Sequence, residues 1–180
     1  MKVDLSFQSN YSIEALEELG AGVKYYYPGG KDGLIVEIVS LEGSSWVGVF
    51  AFGEISPKGI SGIYSMPDPD KFCVVSRGAG YIVSSSNHED WQEVKAIPVM
   101  DVCSIKSQNI LVFADYTKLV AYGKTDIKWR TERLAYDSFK ITEVTDRSLT
   151  GEFWIIRNEA NETFEVDLAT GLQVGGIKEI

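Results

Sequence analysis

Apolar and polar positions along this chain follow a strand period almost everywhere after Gly33. Leu34-Ile-Val-Glu-Ile-Val39 is rich in β-branched residues and stops at the turn cluster Glu42-Gly-Ser-Ser45. Trp46-Val-Gly-Val-Phe-Ala-Phe52 is apolar on both alternating faces, which predicts an interior strand covered on both sides. Phe72–Ser76 and Tyr81–Ser84 flank Arg77-Gly-Ala-Gly80, a glycine-bearing hairpin connection. Ile110–Phe113 and Lys118–Tyr122 flank Ala114-Asp-Tyr-Thr117, and Glu152–Ile156 and Thr163–Leu168 flank the polar stretch Arg157–Glu162. In the last of these strands Phe164, Val166 and Leu168 face one way while Glu165 and Asp167 face the other, the pattern of a sheet with one wet face. A single segment has a helical period. Ile13, Leu16 and Leu19 recur at spacing three, with Ser12 placed to cap the start and Gly20 to end it, so a short N-terminal helix is predicted there.

The hairpins share a register. Phe72 and Ile110, Tyr81 and Leu119, and Trp91 and Trp129 are each 38 residues apart, and the third hairpin, near Phe153, begins 43 residues beyond Ile110. Asp101-Val-Cys-Ser-Ile105 and Asp137-Ser-Phe-Lys-Ile141 share Asp-x-apolar-x-Ile. A period of about 40 residues with four strands per unit is the spacing of β-propeller blades. The predicted architecture is therefore all-β: consecutive antiparallel hairpins in a β-propeller-like array with one short N-terminal helix. A β-sandwich or barrel is the alternative. One domain spanning residues 1–180 is expected, with a repeat-like region at about 60–175 and with Trp91 and Trp129 in blade-to-blade packing.

The segment Thr163-Phe-Glu-Val-Asp-Leu-Ala-Thr-Gly171 resembles the strand and turn of pyrroloquinoline-quinone-type propeller repeats, in which a strand ends in Asp and a Thr-Gly turn follows. Trp129-Arg-Thr-Glu-Arg-Leu-Ala-Tyr-Asp137, together with Val166-Asp-Leu-Ala-Thr-Gly-Leu-Gln-Val-Gly-Gly176, is similar to the C-terminal half of a group of uncharacterised bacterial all-β proteins. The resemblance implies blade geometry and carries no assigned activity. Quinoprotein enzymes hold their cofactor inside a much longer closed propeller, so no cofactor is implied for this chain.

Composition narrows the function. Apolar residues make up 44% of the 180 positions and charged residues 24%, an ordinary globular mixture. Seventeen basic residues stand against twenty-six acidic ones, for a net charge of −9. That balance disfavours nucleic-acid binding, which needs concentrated Lys and Arg, and docking on an anionic membrane. Met1–Asn10 has no uninterrupted apolar run, so no signal peptide is expected, and the longest strongly apolar stretch, Trp46–Phe52, is far short of the ~20 residues of a spanning helix. A cytoplasmic protein with two buried free thiols, Cys73 and Cys103, is the expectation.

Catalytic material is sparse. His88 is the one histidine and lies in the polar turn Ser86-Asn-His-Glu-Asp90, where a solvated role is expected; multi-His metal sites need more imidazole than the chain has. Asp68 and Asp70 in Met66-Pro-Asp-Pro-Asp-Lys71 are spaced to chelate a hard cation, but the run lacks the further oxygens and the glycine of a calcium loop and reads as a tight turn. Gly29-Gly-Lys-Asp-Gly33 lacks the spacing of a phosphate-binding loop. Asp101 and Asp137 would serve as an acid–base pair in a hydrolase or lyase if blades brought them to a shared mouth.

Tyr25-Tyr-Tyr-Pro28 is the most informative motif. Consecutive side chains of an extended segment alternate faces, so Tyr25, Tyr26 and Tyr27 cannot all enter one core, and at least one is left exposed as contact material. The expected function is a non-catalytic binding module for a protein partner, with these tyrosines as the contact surface. The acidic balance favours a basic partner, as for an inhibitor or immunity-type protein. No metal or cofactor is expected, and a monomer is favoured over a homodimer.

Overall fold

A computed structural model describes residues 1–53, 59–156 and 159–177 of the chain. Among these residues every regular element is a strand except one 3-10 turn at Lys106–Gln108. The strands form four separate sheets built around consecutive antiparallel hairpins, two of them extended by one parallel edge strand, the blade topology of a propeller rather than the single closed sheet of a barrel. No helix among the described residues is long and apolar enough to cross a membrane. The chain divides into two compact units, residues 1–99 and 100–180.

The first unit contains β1 (Lys2–Asp4), β2 (Tyr11–Leu16), β3 (Tyr25–Tyr26), β4 (Gly33–Ser40), β5 (Ser45–Ala51), β6 (Gly62–Ser65), β7 (Lys71–Ser76), β8 (Ala79–Ser84) and β9 (Trp91–Glu93). One sheet has the order β2-β4-β5-β3 and the other β1-β6-β7-β8-β9. The apolar faces of β4 and β5 meet those of β6, β7 and β8 in one core of Val36, Ile38, Phe50, Ile63, Phe72, Val74 and Val83, closed by the Tyr11 and Tyr81 rings. The N-terminal segment ties the two sheets together. β1 adds to β6 in parallel, the Phe7 amide donates to Ser65 Oγ at 2.9 Å, and the Asn10 side-chain amide donates to Asp70 Oδ1 at 2.7 Å. The β7–β8 connection turns on Arg77 and Gly78, both with positive φ (47° and 85°), the backbone that matches the twist of a two-residue hairpin.

The predicted helix at residues 12–20 does not form. Tyr11–Leu16 is strand β2, paired residue for residue with β4 from Tyr11 opposite Ser40 to Leu16 opposite Ile35. Two periods compete in this segment. Ile13, Leu16 and Leu19 suit a helix, but Tyr11, Ile13 and Ala15 turn inward while Ser12 and Glu14 face water, which is the strand period. A six-residue ladder with an already buried neighbour outweighs a helical stripe of three side chains, because an isolated short helix is marginal in water.

The second unit contains β10 (Asp101–Ile105), β11 (Ile110–Ala114), β12 (Leu119–Tyr122), β13 (Ile127–Arg130), β14 (Lys140–Val144), β15 (Ser148–Ile155), β16 (Ala160–Asp167) and β17 (Gln173–Gly175). Its two sheets are simple meanders, β10-β11-β12-β13 and β14-β15-β16-β17. Ile110, Val112, Leu119 and Trp129 of one pack with Leu149, Phe153, Phe164 and Val166 of the other. The stretch expected as polar connection at 157–162 is shorter, since β16 already begins at Ala160; Arg157 and Asn158 lie outside the described residues. Two aspartates organise hairpin ends. Asp115 Oδ1 accepts from the amides of Thr117 and Lys118 at 2.6 and 2.8 Å. Asp167 Oδ1 accepts from the Thr170 amide at 2.8 Å and the Thr170 hydroxyl at 2.7 Å.

Each unit is fastened by one tryptophan. In the first, Trp46 Nε1 of β5 donates to the Ser85 carbonyl, just past β8, at 2.8 Å. In the second, Trp129 Nε1 of β13 donates to the Leu168 carbonyl, just past β16, at 2.8 Å. Both bonds span 39 residues and both end on the residue after the last-but-one strand of the facing sheet, β8 in one case and β16 in the other. The landmark pairs of the 38-residue spacing fall on matching strands, Phe72 and Ile110 on β7 and β11, Tyr81 and Leu119 on β8 and β12, Trp91 and Trp129 on β9 and β13. Trp91, however, lies partly exposed against Tyr81 of its own sheet, so Trp46 is the first unit's counterpart of Trp129.

These contacts generate two expectations. Trp129→Phe leaves the buried Leu168 carbonyl without its donor and should cost about 1–3 kcal/mol in urea unfolding, while Trp46→Phe costs less because that indole is only half-buried. Equal shifts for the two variants would contradict this assignment. The second concerns the Asp167 turn, where the hydrogen bond from the Thr170 hydroxyl and then the Thr170 and Ala169 amides hold the carboxyl below its ordinary value of about 3.9. A lowered folded-state value means that the carboxylate's contribution to stability is present above the ordinary range and is lost as pH falls through the lowered one. Thr170→Val should move the Asp167 titration upward in a carboxyl-detected NMR experiment; an unmoved titration would show that the hydroxyl bond does not govern it.

Candidate functional site

Tyr25 and Tyr26 are placed by backbone pairing. They form β3, which adds to β5 in parallel opposite Val47 and Gly48 and so presents Tyr26 beside Trp46. The chain then turns through Tyr27, Pro28 and Gly29. Pro28 accepts from the Ala51 amide, and Gly29 adopts a φ of 76° with its α-carbon pressed on the Tyr81 ring, where an added Cβ would collide. Glycine is required there for both reasons.

Tyr26, His88 and Trp46 close a triangle of rings. The His88 imidazole lies on Tyr26 with centroids 3.3 Å apart at 39°, and it meets the Trp46 indole edge-on at 5.9 Å. Tyr26 in turn meets Trp46 edge-on at 6.2 Å. The clasp from Trp46 Nε1 to Ser85 anchors the start of the His88 turn, and Asn87 Oδ1 fixes its far side by accepting from the Glu89 amide at 3.1 Å. His88 is thus a half-buried packing partner of the tyrosine motif rather than a solvated turn residue. No period in the sequence signals this, because the contact joins a loop to a strand through tertiary folding alone.

Beside the triangle lies a shallow cleft of about 230 Å³ lined by Tyr26, Tyr27, Pro28, His88, Glu89 and Trp91. Tyr27 is 41% exposed and Trp91 37% exposed, so two large aromatic faces open to solvent at one place. Tyr25 supports Tyr27 edge-on at 5.0 Å, and a hydrogen bond between their hydroxyls is the first cause that pushes the Tyr27 phenol above its usual range. Trp91 rests on Tyr81 at 5.8 Å, and Tyr81 continues through Phe50 to Phe72 in the core. Burial raises the Tyr81 phenol, whose hydroxyl donates to the Ala51 carbonyl at 3.1 Å. The exposed rings therefore stand on a chain of rigid packed rings.

The other sequence candidates have different local settings. Asp101 opens β10 opposite Ala114 and accepts from the adjoining Val102 amide at 2.8 Å. Asp137 lies exposed in the loop before β14, so the shared Asp-x-apolar-x-Ile motif does not occupy equivalent strand positions. Two clefts of this unit, one at Ser104–Ser107 with Val144–Asp146 and one on the face of β15, β16 and β17, are lined by neither aspartate. Asp68 accepts from the Asp70 amide within its turn. Among the described residues no three His, Cys, Asp or Glu side chains are grouped to hold a metal. Neither cysteine forms a disulfide: Cys73 is wholly buried, with burial pushing its thiol up, and Cys103 is half-buried.

The fold and site together describe an all-β chain of blade-like sheets with an aromatic cleft on its first unit. No family model and no curated protein matches the chain. Solved structures that it resembles include the N-terminal domain of Nup159, a β-propeller, at 11% identity over 97% of this chain and 54% of that one, with a TM-score of 0.41. Another is a chain in the S. cerevisiae complex of dbp5 bound to nup159 and gle1 with IP6 and ADP, at 11% identity over 96% and 53%, with a TM-score of 0.43. The chain spans about half the length of the structures it matches. Such an identity and overlap transfer no function.

Alanine at His88 removes the ring packed on Tyr26 without touching the core below Trp46. The expected result is a folded protein whose first unit is destabilised by about 0.5–1.5 kcal/mol, with enhanced solvent quenching of aromatic fluorescence. An unchanged denaturation midpoint would show that the imidazole contributes nothing to the cluster.

Proposed function

We propose that this chain is a non-catalytic module that binds a protein partner through the Tyr25–Tyr27 segment and its surroundings. The observation that carries the reading is the cleft itself: Tyr27 and Trp91 expose large faces on a support already ordered by Tyr25, His88 and Tyr81. Pre-ordered aromatic side chains lose little conformational freedom on contact, and such residues dominate the energetics of protein interfaces. The net charge of −9 adds long-range attraction for a basic partner. An inhibitor or immunity-type protein that masks a basic toxin or nuclease is one concrete form of such a module.

The test is capture from the native cell on immobilised wild-type chain, compared with Tyr27→Ala and with a Trp154→Ala control on the second unit. The expected partner is basic, is lost with Tyr27→Ala, is retained with the control, and binds less as salt shortens the screening length from about 10 Å at 0.1 M to about 3 Å at 1 M. Capture of no protein at moderate salt, or of one indifferent to Tyr27, would overturn the reading.

A further inference from the structure

The cleft holds one feature that contact area alone does not require, a carboxylate among the rings. Glu89 lines it between His88 and Trp91, and among the described residues no basic side chain lies within ion-pairing distance of that carboxylate. Its neighbour Asp90 differs, since it faces Lys71 at 3.8 Å. The Glu89 backbone is fixed by the Asn87 side chain, so its carboxyl emerges from a set position. Tyr26 already shows how rings at this place meet a cation: the Lys24 ammonium stands 5.2 Å from its centroid, with the imidazole close against the ring as well. Among the described residues no cation stands over the exposed Trp91 or Tyr27 face.

We propose that this cleft receives an arginine side chain of the partner, its guanidinium stacked on Trp91 and its N–H fork directed at Glu89. The inference rests on the binding-module reading and names the chemistry that the module recognises. A planar guanidinium suits the site better than an ammonium. It can lie flat on an indole while donating in its own plane to a carboxylate, and it gives up its hydration more readily. The neighbouring charges fit. Glu89 lines the cleft, Asp90 and Glu93 stand on either side of Trp91 in the chain, and Asp32 acts on Tyr27, while Lys24 is engaged above Tyr26 and Lys71 against Asp90. The imidazole of His88 is oriented by two rings and forms one wall of the pocket.

The probe is Nα-acetyl-arginine-methylamide, titrated into the ¹⁵N-labelled full chain and followed by amide and indole NMR. Expected are saturable shifts confined to Tyr26, Tyr27, His88, Glu89 and Trp91, at millimolar affinity for so small a ligand. The uncharged citrulline analogue should fail to bind. Glu89→Gln and Trp91→Ala should each weaken arginine about tenfold, with dispersed spectra showing that both variants fold. Glu89→Gln keeps the proposal testable if Trp91→Ala does not fold. Shifts that scatter over the acidic surface, citrulline binding as well as arginine, or no shift at all would overturn the proposal. A lysine analogue binding equally would overturn the choice of guanidinium. A partner captured through Tyr27 whose binding neither free arginine nor Glu89→Gln disturbs sinks this inference and leaves the module standing. Saturable arginine binding without any captured partner does the reverse.

Discussion

Two indole N–H groups hold this structure together at matching places. A meander of four strands has a covered face only if a second sheet lies against it, and apolar contact between two faces is non-directional. The bonds from Trp46 to Ser85 and from Trp129 to Leu168 supply the direction that apolar contact lacks. Each joins a strand of one sheet to the carbonyl following the last-but-one strand of the other, where the ladder ends and a backbone group needs a partner. In the second unit the same place carries Gly171, whose φ of 75° brings its α-carbon against the Trp129 ring. The clasp, the Thr-Gly turn and the Asp167 carboxylate are thus one local device.

The surface cleft depends on the clasp of the first unit. Ser85 begins the turn that carries His88 and Glu89, and Trp46 holds that turn beside β3. A tyrosine-rich segment paired through only two residues, Tyr25 and Tyr26, would have little order by itself. Packed between a clasped turn and the Tyr81 ring, it becomes a fixed wall with Tyr27 turned outward. The site is therefore a consequence of how the unit closes, and the arrangement couples stability and surface: what orders the cleft also fastens the two sheets.

Much of the fold was legible in the residues one strand at a time. Trp46–Phe52 is apolar on both faces because β5 lies inside its sheet, and Phe164, Val166 and Leu168 alternate with Glu165 and Asp167 because β16 has one wet side. Gly78, following Arg77, announced the tight β7–β8 turn. Short edge strands such as β9, β13 and β17 carry no such signal, since an edge of three or four mostly polar residues looks like a loop until a neighbour's backbone pairs with it. The segment at 11–16 went the other way, because its spacing allowed two periods and only the ladder with β4 chose between them.

What the sequence determined by itself is local: that the strongly apolar segments after Gly33 are strands, where their hairpins turn, and that three adjacent tyrosines cannot all be buried. It also determined the acidic balance, which needs no coordinates. The tertiary structure decided which distant residues meet. It set His88 on Tyr26, placed Asp101 in a strand and Asp137 in a loop, and gave the inter-sheet role in the first unit to Trp46 instead of Trp91. The physical reason is the range of the forces involved. Alternation, turn conformation and charge are properties of neighbours along the chain, whereas a ring stack or an indole hydrogen bond exists only when two sheets have already chosen how to face one another.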